Sequence, residues 1–492
     1  MKFILAIDQS TSATKAMLFD ENAVLVSRIS VEHKQFYPRS GWVEHDAEEI
    51  LNNTYKSAEL LIANCKVNPE DIASLAITNQ RETVVVWDKR TGKPVYNAVV
   101  WQCNRGALIC EELISRGKES VVTKKTGLII NPYFSASGVK WILDNVDGAA
   151  KTAFEGNLLL GTMDSWLIWN LTGGKIHATD FTNASRTLLF NIHNLDWDTE
   201  LLDMFSIPSS MLPKVLPCDG QFGTTTLNGL LKEIPIAGVL GDSHGALVGQ
   251  MCFEQGMGKA TYGTGSSIMV NIGEEALPAP NGLVTSVGFA AKGKVFYAFE
   301  GNIHCTGATV KWMQDDLQLI HSAAETETLA NSVKSTDGVY FVPAFTGLGA
   351  PWWDNDAKAL ICGMNRGTSK AHVVRAALES IAYQVKDLIA LIHDSGVELR
   401  ELRVDGGPVK NNFLMQFQSD ILQAKINRSP IEEASALGAV LMNGLAMNQW
   451  TDINELSKLR TTNDYILPEM SQAKVDLLYG EWKKAVQRTL MK

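Results

Sequence analysis

Phe3-Ile4-Leu5-Ala6-Ile7-Asp8-Gln9-Ser10-Thr11-Ser12-Ala13-Thr14-Lys15 opens the chain with an apolar run that breaks, at a carboxylate, into hydroxyl-rich residues. Phe3–Ile7 predicts a strand, Asp8 to Thr14 a polar turn, and Lys15–Phe19 a returning strand. Glu21 and Asn22 make the next turn, before a third strand over Val24–Ile29. The device recurs past the midpoint, where Lys259–Tyr262 enters Gly263-Thr264-Gly265-Ser266-Ser267 and Ile268–Ile272 resumes the apolar content. A third version, Leu402–Val404 followed by Asp405-Gly406-Gly407-Pro408, comes later. Turns of small residues expose backbone N–H groups and hydroxyls that cradle phosphate oxygens. An Asp at the strand end suits Mg²⁺, which takes one or two carboxylates and fills its shell with phosphates. A single such turn is an ordinary hairpin; three in this order point to phosphate binding.

Working outward, Asp46 reads as a helix N-cap with Glu49 three residues on, in the manner of a capping box. The apolar face expected of that helix is Leu51, Tyr55, Ala58, Ile62 and Cys65. Val374, Ala377, Leu378, Ile381, Val385, Leu388 and Ile392 predict a long amphipathic helix ending near Gly396. Two more helices follow Asp405, the second (Glu433 to Trp450) rich in Ala and Gly and suited to close packing. Both halves open with strand, polar turn and strand, so two related α/β domains are expected, residues 1–250 and 251–492, with no Pro/Ser-rich linker between them.

Composition excludes several classes. The 492 residues carry 44 Lys+Arg against 54 Asp+Glu, a net charge of −10, which disfavours a protein built to neutralise nucleic-acid phosphates. With 45% hydrophobic and 20% charged residues the chain is globular rather than disordered. The seven cysteines are scattered, with no C-x-x-C pair, and read as free thiols of a cytoplasmic protein. Phe3–Ile7 is too short for a signal-peptide core, and no run approaches the roughly 18 apolar residues of a membrane span. No G-x-x-x-x-G-K-[ST], no H-R-D or D-F-G pair, and no G-x-G-x-x-G after a strand occurs. These absences argue against a P-loop NTPase, a protein kinase and a dinucleotide dehydrogenase.

The three turns resemble those of the actin, Hsp70 and sugar-kinase superfamily, which grips ATP between two duplicated RNase H-like domains. Longer segments narrow the likeness: Ile77-Thr78-Asn79-Gln80-Arg81-Glu82-Thr83, Val100-Trp101-Gln102-Cys103, Asn131-Pro132-Tyr133-Phe134-Ser135 and Thr182-Asn183-Ala184-Ser185-Arg186. With them go Pro343–Pro351, Val404-Asp405-Gly406-Gly407 and Asn412–Asp420. From Ala6 to about Lys484 the chain resembles the FGGY carbohydrate kinases, and the glycerol kinases among them most closely.

The resemblance implies an ATP- and Mg²⁺-dependent kinase of a small polyol or sugar. Arg81, Glu82, Trp101, Tyr133 and Asp242 match the acceptor-binding positions, and Asp242 the catalytic base. Asp8 matches the Mg²⁺ aspartate; Thr11, Ser12 and Lys15 match the first phosphate turn and Thr264 the second. Gly307, Lys311, Gly407 and Asn411 fall at the nucleotide positions. A cytoplasmic homodimer or larger oligomer is implied as well. The chain departs from the glycerol-kinase pattern at Ser243 and His244, where two Gln are usual, and at Ser267, where a Phe is usual. Ser243 and Ser267 then join the acceptor-binding set with less bulk, which favours a four- or five-carbon polyol or ketose, glycerol being the alternative. Lys15 stands for a usual Arg, Ser10 for a Gly and Lys311 for a Gln, and none of these changes removes a catalytic group. His244 either tunes Asp242 or is a hydrogen-bonded member of the helix start. A non-catalytic regulator of the same fold would dispense with Asp242 or Asp8, and both are present. Of the twelve tryptophans only Trp101 sits in such a motif.

Overall fold

The computed structural model describes residues 2–490 apart from 350, 353, 355, 432, 461 and 462, so Ala350 of the Pro343–Pro351 stretch lies outside the described residues. The first half is built on a six-stranded sheet. Its strands are β1 (Phe3–Gln9), β2 (Ala13–Phe19), β3 (Leu25–Glu32), β4 (Ile72–Asn79), β5 (Gln221–Thr225) and β6 (Ile234–Gly241), in the order β5-β6-β4-β1-β2-β3. β1, β2 and β3 form an antiparallel meander, while β4 runs parallel to β1 and β6 parallel to β4. Every residue of β1 is buried, as its unbroken apolar run requires of a central strand covered on both faces. Asp8 and Gln9 stay in the strand, opposite Lys15 and Thr14, so the first turn is shorter than the sequence suggests and spans only Ser10–Ser12.

The second half repeats the plan. Its strands are β7 (Met257–Tyr262), β8 (Ser266–Gly273), β9 (Val284–Ala291), β10 (Lys294–Ile303), β11 (Glu401–Gly406), β12 (Lys425–Arg428) and β13 (Asp464–Ile466). They lie in the order β9-β10-β8-β7-β11-β12-β13. Again a meander (β7, β8, β10) is extended on the β7 side by parallel strands, β11 and then β12. The duplication expected from the polar turns is therefore present in the strand order. A further five-stranded sheet in the first half, which includes Val84–Asp88 and Leu158–Thr162, has no counterpart in the second and was not expected.

Helix α1 (Ala47–Cys65) starts where Asp46 caps the Glu48 and Glu49 N–H groups. The capping box is only half formed, because the Glu49 carboxylate takes the Lys34 N–H instead. The buried face is also rotated from the expected one. Ile50, Ala58, Leu61 and Ile62 are buried together with Thr54 and Ser57, and Leu51, Tyr55 and Cys65 flank them. Thr54 and Ser57 return their hydroxyls to the helix backbone at 3.0 and 3.1 Å, which lets polar residues lie on the core side.

After the last parallel strand of each half comes a helix, α2 (Asp242–Gly249) and, beyond the long α3 (Lys370–Asp394) and α4 (Asn412–Leu422), α5 (Ala434–Ala446). α5 is shorter than Glu433 to Trp450. It lies against α2 so closely that a Cβ on Gly438 would stand 1.9 Å from the Gly245 carbonyl oxygen. From there Asn443 reaches the first sheet, donating to the Leu75 and Ala237 carbonyls at 3.1 and 2.8 Å and accepting from Ser74 at 2.7 Å. A helix of the second half thus satisfies a buried polar cluster in the first. All seven cysteines are free thiols, and no described helix is long and apolar enough to cross a membrane.

Candidate active site

Arg81 and Glu82 come one residue after β4, whose last residue, Asn79, exchanges side-chain hydrogen bonds with Asn183 at 2.9 and 3.0 Å. Glu82 adopts φ +60°, a left-handed conformation uncommon for a non-glycine residue, and the Ser135 hydroxyl donates to its carbonyl at 2.7 Å. This kink turns both side chains into a cavity of about 520 Å³ lined by Thr11, Arg81, Glu82, Trp101, Tyr133, Asp242, Ser243 and Ser267. The whole expected acceptor set is therefore brought together. Trp101 and Tyr133 meet edge to face with ring centroids 5.5 Å apart, and Trp101 Nε1 donates to Thr11 Oγ1 at 3.0 Å, joining the acceptor wall to the first phosphate turn.

Two residues that bind the set together had been assigned no role from sequence. Glu300, in the middle of β10, accepts both Arg81 Nη atoms at 2.9 and 2.8 Å. Arg186 donates Nε to Glu82 at 2.6 Å and places Nη1 2.9 Å from Glu300. Burial pushes the Glu300 carboxyl up, but Arg186 and Arg81 outweigh it and hold the group well below the usual carboxylate range. Glu82 is shifted the other way, its burial only partly offset by Arg81 and Arg186. The signal for Glu300 was a lone acid in the strand Val295-Phe296-Tyr297-Ala298-Phe299-Glu300, since a buried charge requires partners.

Asp242 is the first residue of α2. Its Oδ1 accepts Arg81 Nε at 3.0 Å and the Ser243 N–H at 2.6 Å, whereas Oδ2 takes no hydrogen bond among the described residues. With 38% of its side chain exposed, the carboxylate is oriented by one oxygen and open through the other. His244 belongs to the helix start rather than to the cavity: it is fully buried, its Nε2 lies 3.2 Å from Ser286 Oγ, and burial together with the Arg81 charge holds it well below the usual imidazole range.

The first turn shows how the cations are held. Asp8 is buried, and burial raises its carboxyl to about 7 although Lys15 lies 3.8 Å away. Lys15 is not an open cation: its Nζ sits 2.8 Å from Glu433, the residue before α5. Ser12 and Thr264 are exposed at their turns, and the Thr264 carbonyl accepts the N–H groups of Thr306 and Ala308. A second cavity, of about 740 Å³, is lined by Gly307, Lys311, Gly407 and Asn411, so the expected nucleotide residues also converge. Lys311 is 80% exposed at its rim. Gly406, at φ +101°, gives the third turn its left-handed step, where a Cβ would meet the Tyr262 carbonyl oxygen at 2.0 Å.

Residues 3–249 match the N-terminal domain, and residues 258–447 the C-terminal domain, of the FGGY family of carbohydrate kinases. The chain belongs to that family. This FGGY kinase is 50% identical over 491 residues to "Glycerol kinase 2" of Thermotoga maritima, covering all of this chain and 99% of the relative. It is also 50% identical to a glycerol kinase of a Geobacillus strain over 99% of both chains. Its fold matches the crystal structure of Plasmodium falciparum glycerol kinase with ADP at a TM-score of 0.96, with 38% identity over 100% and 99% of the two chains. A xylulose kinase of Lactobacillus acidophilus shares the fold at a TM-score of 0.88 and 20% identity.

FGGY kinases use ATP with Mg²⁺, and the residues present fit both. Among the described residues no three His, Cys, Asp or Glu side chains gather into a metal cage, while Asp8 offers a single buried carboxylate beside the first turn. That donor set suits a cation carried mainly by phosphates. MgATP, when bound, supplies the electrophilic phosphorus and the neutralised leaving group. Chemically, Arg81 and Glu82 can offer donors and an acceptor to hydroxyls, the aromatic pair can cover C–H faces, and Asp242 Oδ2 can receive a hydroxyl proton.

Proposed function

We propose that the chain transfers the γ-phosphoryl group of MgATP to glycerol, making glycerol 3-phosphate. The observation that carries this reading is Asp242, with Oδ2 free at the wall of the cavity that holds Arg81, Glu82, Trp101 and Tyr133. Asp242 acts as general base, Arg81 and Glu82 grip the hydroxyls, and Trp101 and Tyr133 shape the apolar side. Asp8 takes the Mg²⁺ role, with Thr11, Ser12, Lys15 and Thr264 toward the phosphates. Gly307, Lys311, Gly407 and Asn411 border the nucleotide. Full-length relatives at 50% identity that are named glycerol kinases support glycerol over the four- or five-carbon acceptor expected from Ser243 and Ser267. A physical reason supports it too. Ser267 Oγ lies 3.4 Å from Ser243 Oγ and 3.1 Å from Lys259 Nζ, so both hydroxyls are tied into the wall rather than left as open space.

The longer acceptor remains a second reading on one observation, that two small hydroxyl side chains stand where the cavity meets α2 and β8. A coupled ADP-release assay across glycerol, tetritols, tetruloses, pentitols and pentuloses separates the two. Glycerol is expected to give the highest kcat/KM. A tetritol or ketose exceeding it by about tenfold, a difference worth about 1.4 kcal/mol at the transition state, would transfer the assignment.

A further inference from the structure

Lys259 lies in the middle of β7 and is 1% exposed. Its ammonium is held by neutral oxygens alone: Ser267 Oγ at 3.1 Å, the Ser267 carbonyl at 3.4 Å and Thr261 Oγ1 at 3.5 Å. Among the described residues no carboxylate comes within ion-pair distance of it. A buried ammonium without a paired charge is costly, and a fold retains one only against some gain. The other cations of the site are committed. Arg81 is shared between Glu300 and Asp242, Arg186 between Glu82 and Glu300, and Lys15 is held by Glu433.

The register of the sheet says where the charge points. Lys259 stands opposite Met269 and Arg403, and Thr261 opposite Ser267 and Asp405. Side chains paired in this way, or two apart on one strand, share a face of the sheet. That face carries Ser267, which lines the acceptor cavity and whose Oγ lies 3.4 Å from Ser243, the neighbour of Asp242. Lys259 therefore sits one hydroxyl behind the cavity wall, where the carboxylates of Asp405, Glu300 and Asp242 attract its charge at a distance and the Arg81 guanidinium opposes them.

On the basis of the phosphoryl-transfer reading, we propose that Lys259 is a positioning residue for that reaction: its ammonium braces Ser267 after the second phosphate turn and supplies uncommitted positive charge toward the group in transfer. A fixed cation in a water-poor site stabilises negative charge on the transferring oxygens without reorganising at the moment of reaction. Its benefit is realised during transfer rather than in binding either substrate, so kcat carries the effect.

The test compares wild type with Lys259→Met, similar in length and neutral, and Lys259→Gln, neutral but still a hydrogen-bond donor. Both variants should lower kcat by roughly 10- to 100-fold, with the KM values for glycerol and MgATP within about threefold of wild type. Thermal unfolding of Lys259→Met should be unchanged or higher in Tm, because an unpaired buried charge has been removed. A purely structural lysine gives the opposite split, a lower Tm with kcat retained per folded molecule, and that result overturns the proposal. So does a Lys259→Met chain that fails to fold, or a Lys259→Gln variant with wild-type kcat, which would show that the ammonium charge contributes nothing to transfer. A wild-type chain inactive on every acceptor defeats the proposed function and this inference together; an active wild type with an unimpaired Lys259→Met defeats this inference alone.

Discussion

Arg81 and Glu300 face each other fork to fork across the join of the two sheets, although 219 positions separate them in the chain. One follows the parallel strand next to β1, and the other lies in the meander of the second half. Their pairing leaves Arg81 only Nε for Asp242, at 3.0 Å. The Asp242 carboxylate is therefore oriented by a guanidinium whose charge is largely answered elsewhere. Replacing Glu300 by Gln would strand two buried guanidinium groups, and breaking a buried pair of this kind costs about 3–5 kcal/mol. Urea unfolding should show a loss of that order, together with a fall in kcat/KM for the acceptor. Wild-type stability in Glu300→Gln would mean that the fork contributes nothing to joining the halves.

Asp242→Asn keeps the shape of the side chain and its Oδ1 contact while removing the proton acceptor. Transfer should fall roughly 10²–10⁴-fold, the range for a positioned general base. ADP affinity, measured by calorimetry, should stay within about threefold, because the nucleotide cavity is lined by other residues. A variant that retains most of its activity would exclude Asp242 as the base.

Gly407 lines the second cavity, and a Cβ there would meet nothing within 4 Å, so the backbone tolerates a side chain at the cavity's border. Gly407→Leu should fold normally and raise the KM for ATP by roughly tenfold or more, the cost of a mis-sized contact in a ligand pocket. The KM for glycerol should not follow it. Lys311→Gln, at the exposed rim, should change the KM for ATP by less than about threefold, since exposed charges contribute little.

Glu401, at the start of β11, supplies a pH dependence of stability. Burial raises its carboxyl, but hydrogen bonds from Lys425, Asn427 and Arg403 outweigh burial and bring it down to about 2 from the ordinary 4.5. A carboxyl whose folded value lies below its unfolded one stabilises the fold fully above the unfolded value. That contribution is lost as pH falls from 4.5 toward about 2. The Tm of wild type should therefore drop across that window, and Glu401→Gln should show a shallower drop from a lower starting point. Parallel curves would remove Glu401 as a source of acid sensitivity.

How much of this was legible in the sequence follows from which signals are local. The strand–turn–strand units, the cap at Asp46 and the Ala/Gly-rich helix are set by neighbouring residues, and each is present, although the first turn and that helix are shorter than the pattern suggests. The buried face of α1 is broader than the apolar pattern shows, because Thr54 and Ser57 satisfy their hydroxyls within the helix and pack as core. The five-stranded sheet was missed because several of its strands are two residues long, below the length at which alternation shows. In the site, residues within long motifs converge as expected. Glu300 and Lys259 did not stand out, since each is one charge inside an apolar strand and gains meaning only from partners far along the chain. The tie from Lys15 to Glu433 is of the same kind, as the two are 418 positions apart.

The most direct measurement is phosphoryl transfer itself, followed by ³¹P NMR with MgATP in the presence and absence of glycerol. With glycerol, the γ-phosphate signal should be replaced by a phosphomonoester resonance, one equivalent for each ADP formed. Without acceptor, ATP should persist. Loss of ATP to inorganic phosphate at the same rate with and without glycerol, and no phosphomonoester, would contradict the assignment of this chain as a glycerol-phosphorylating kinase.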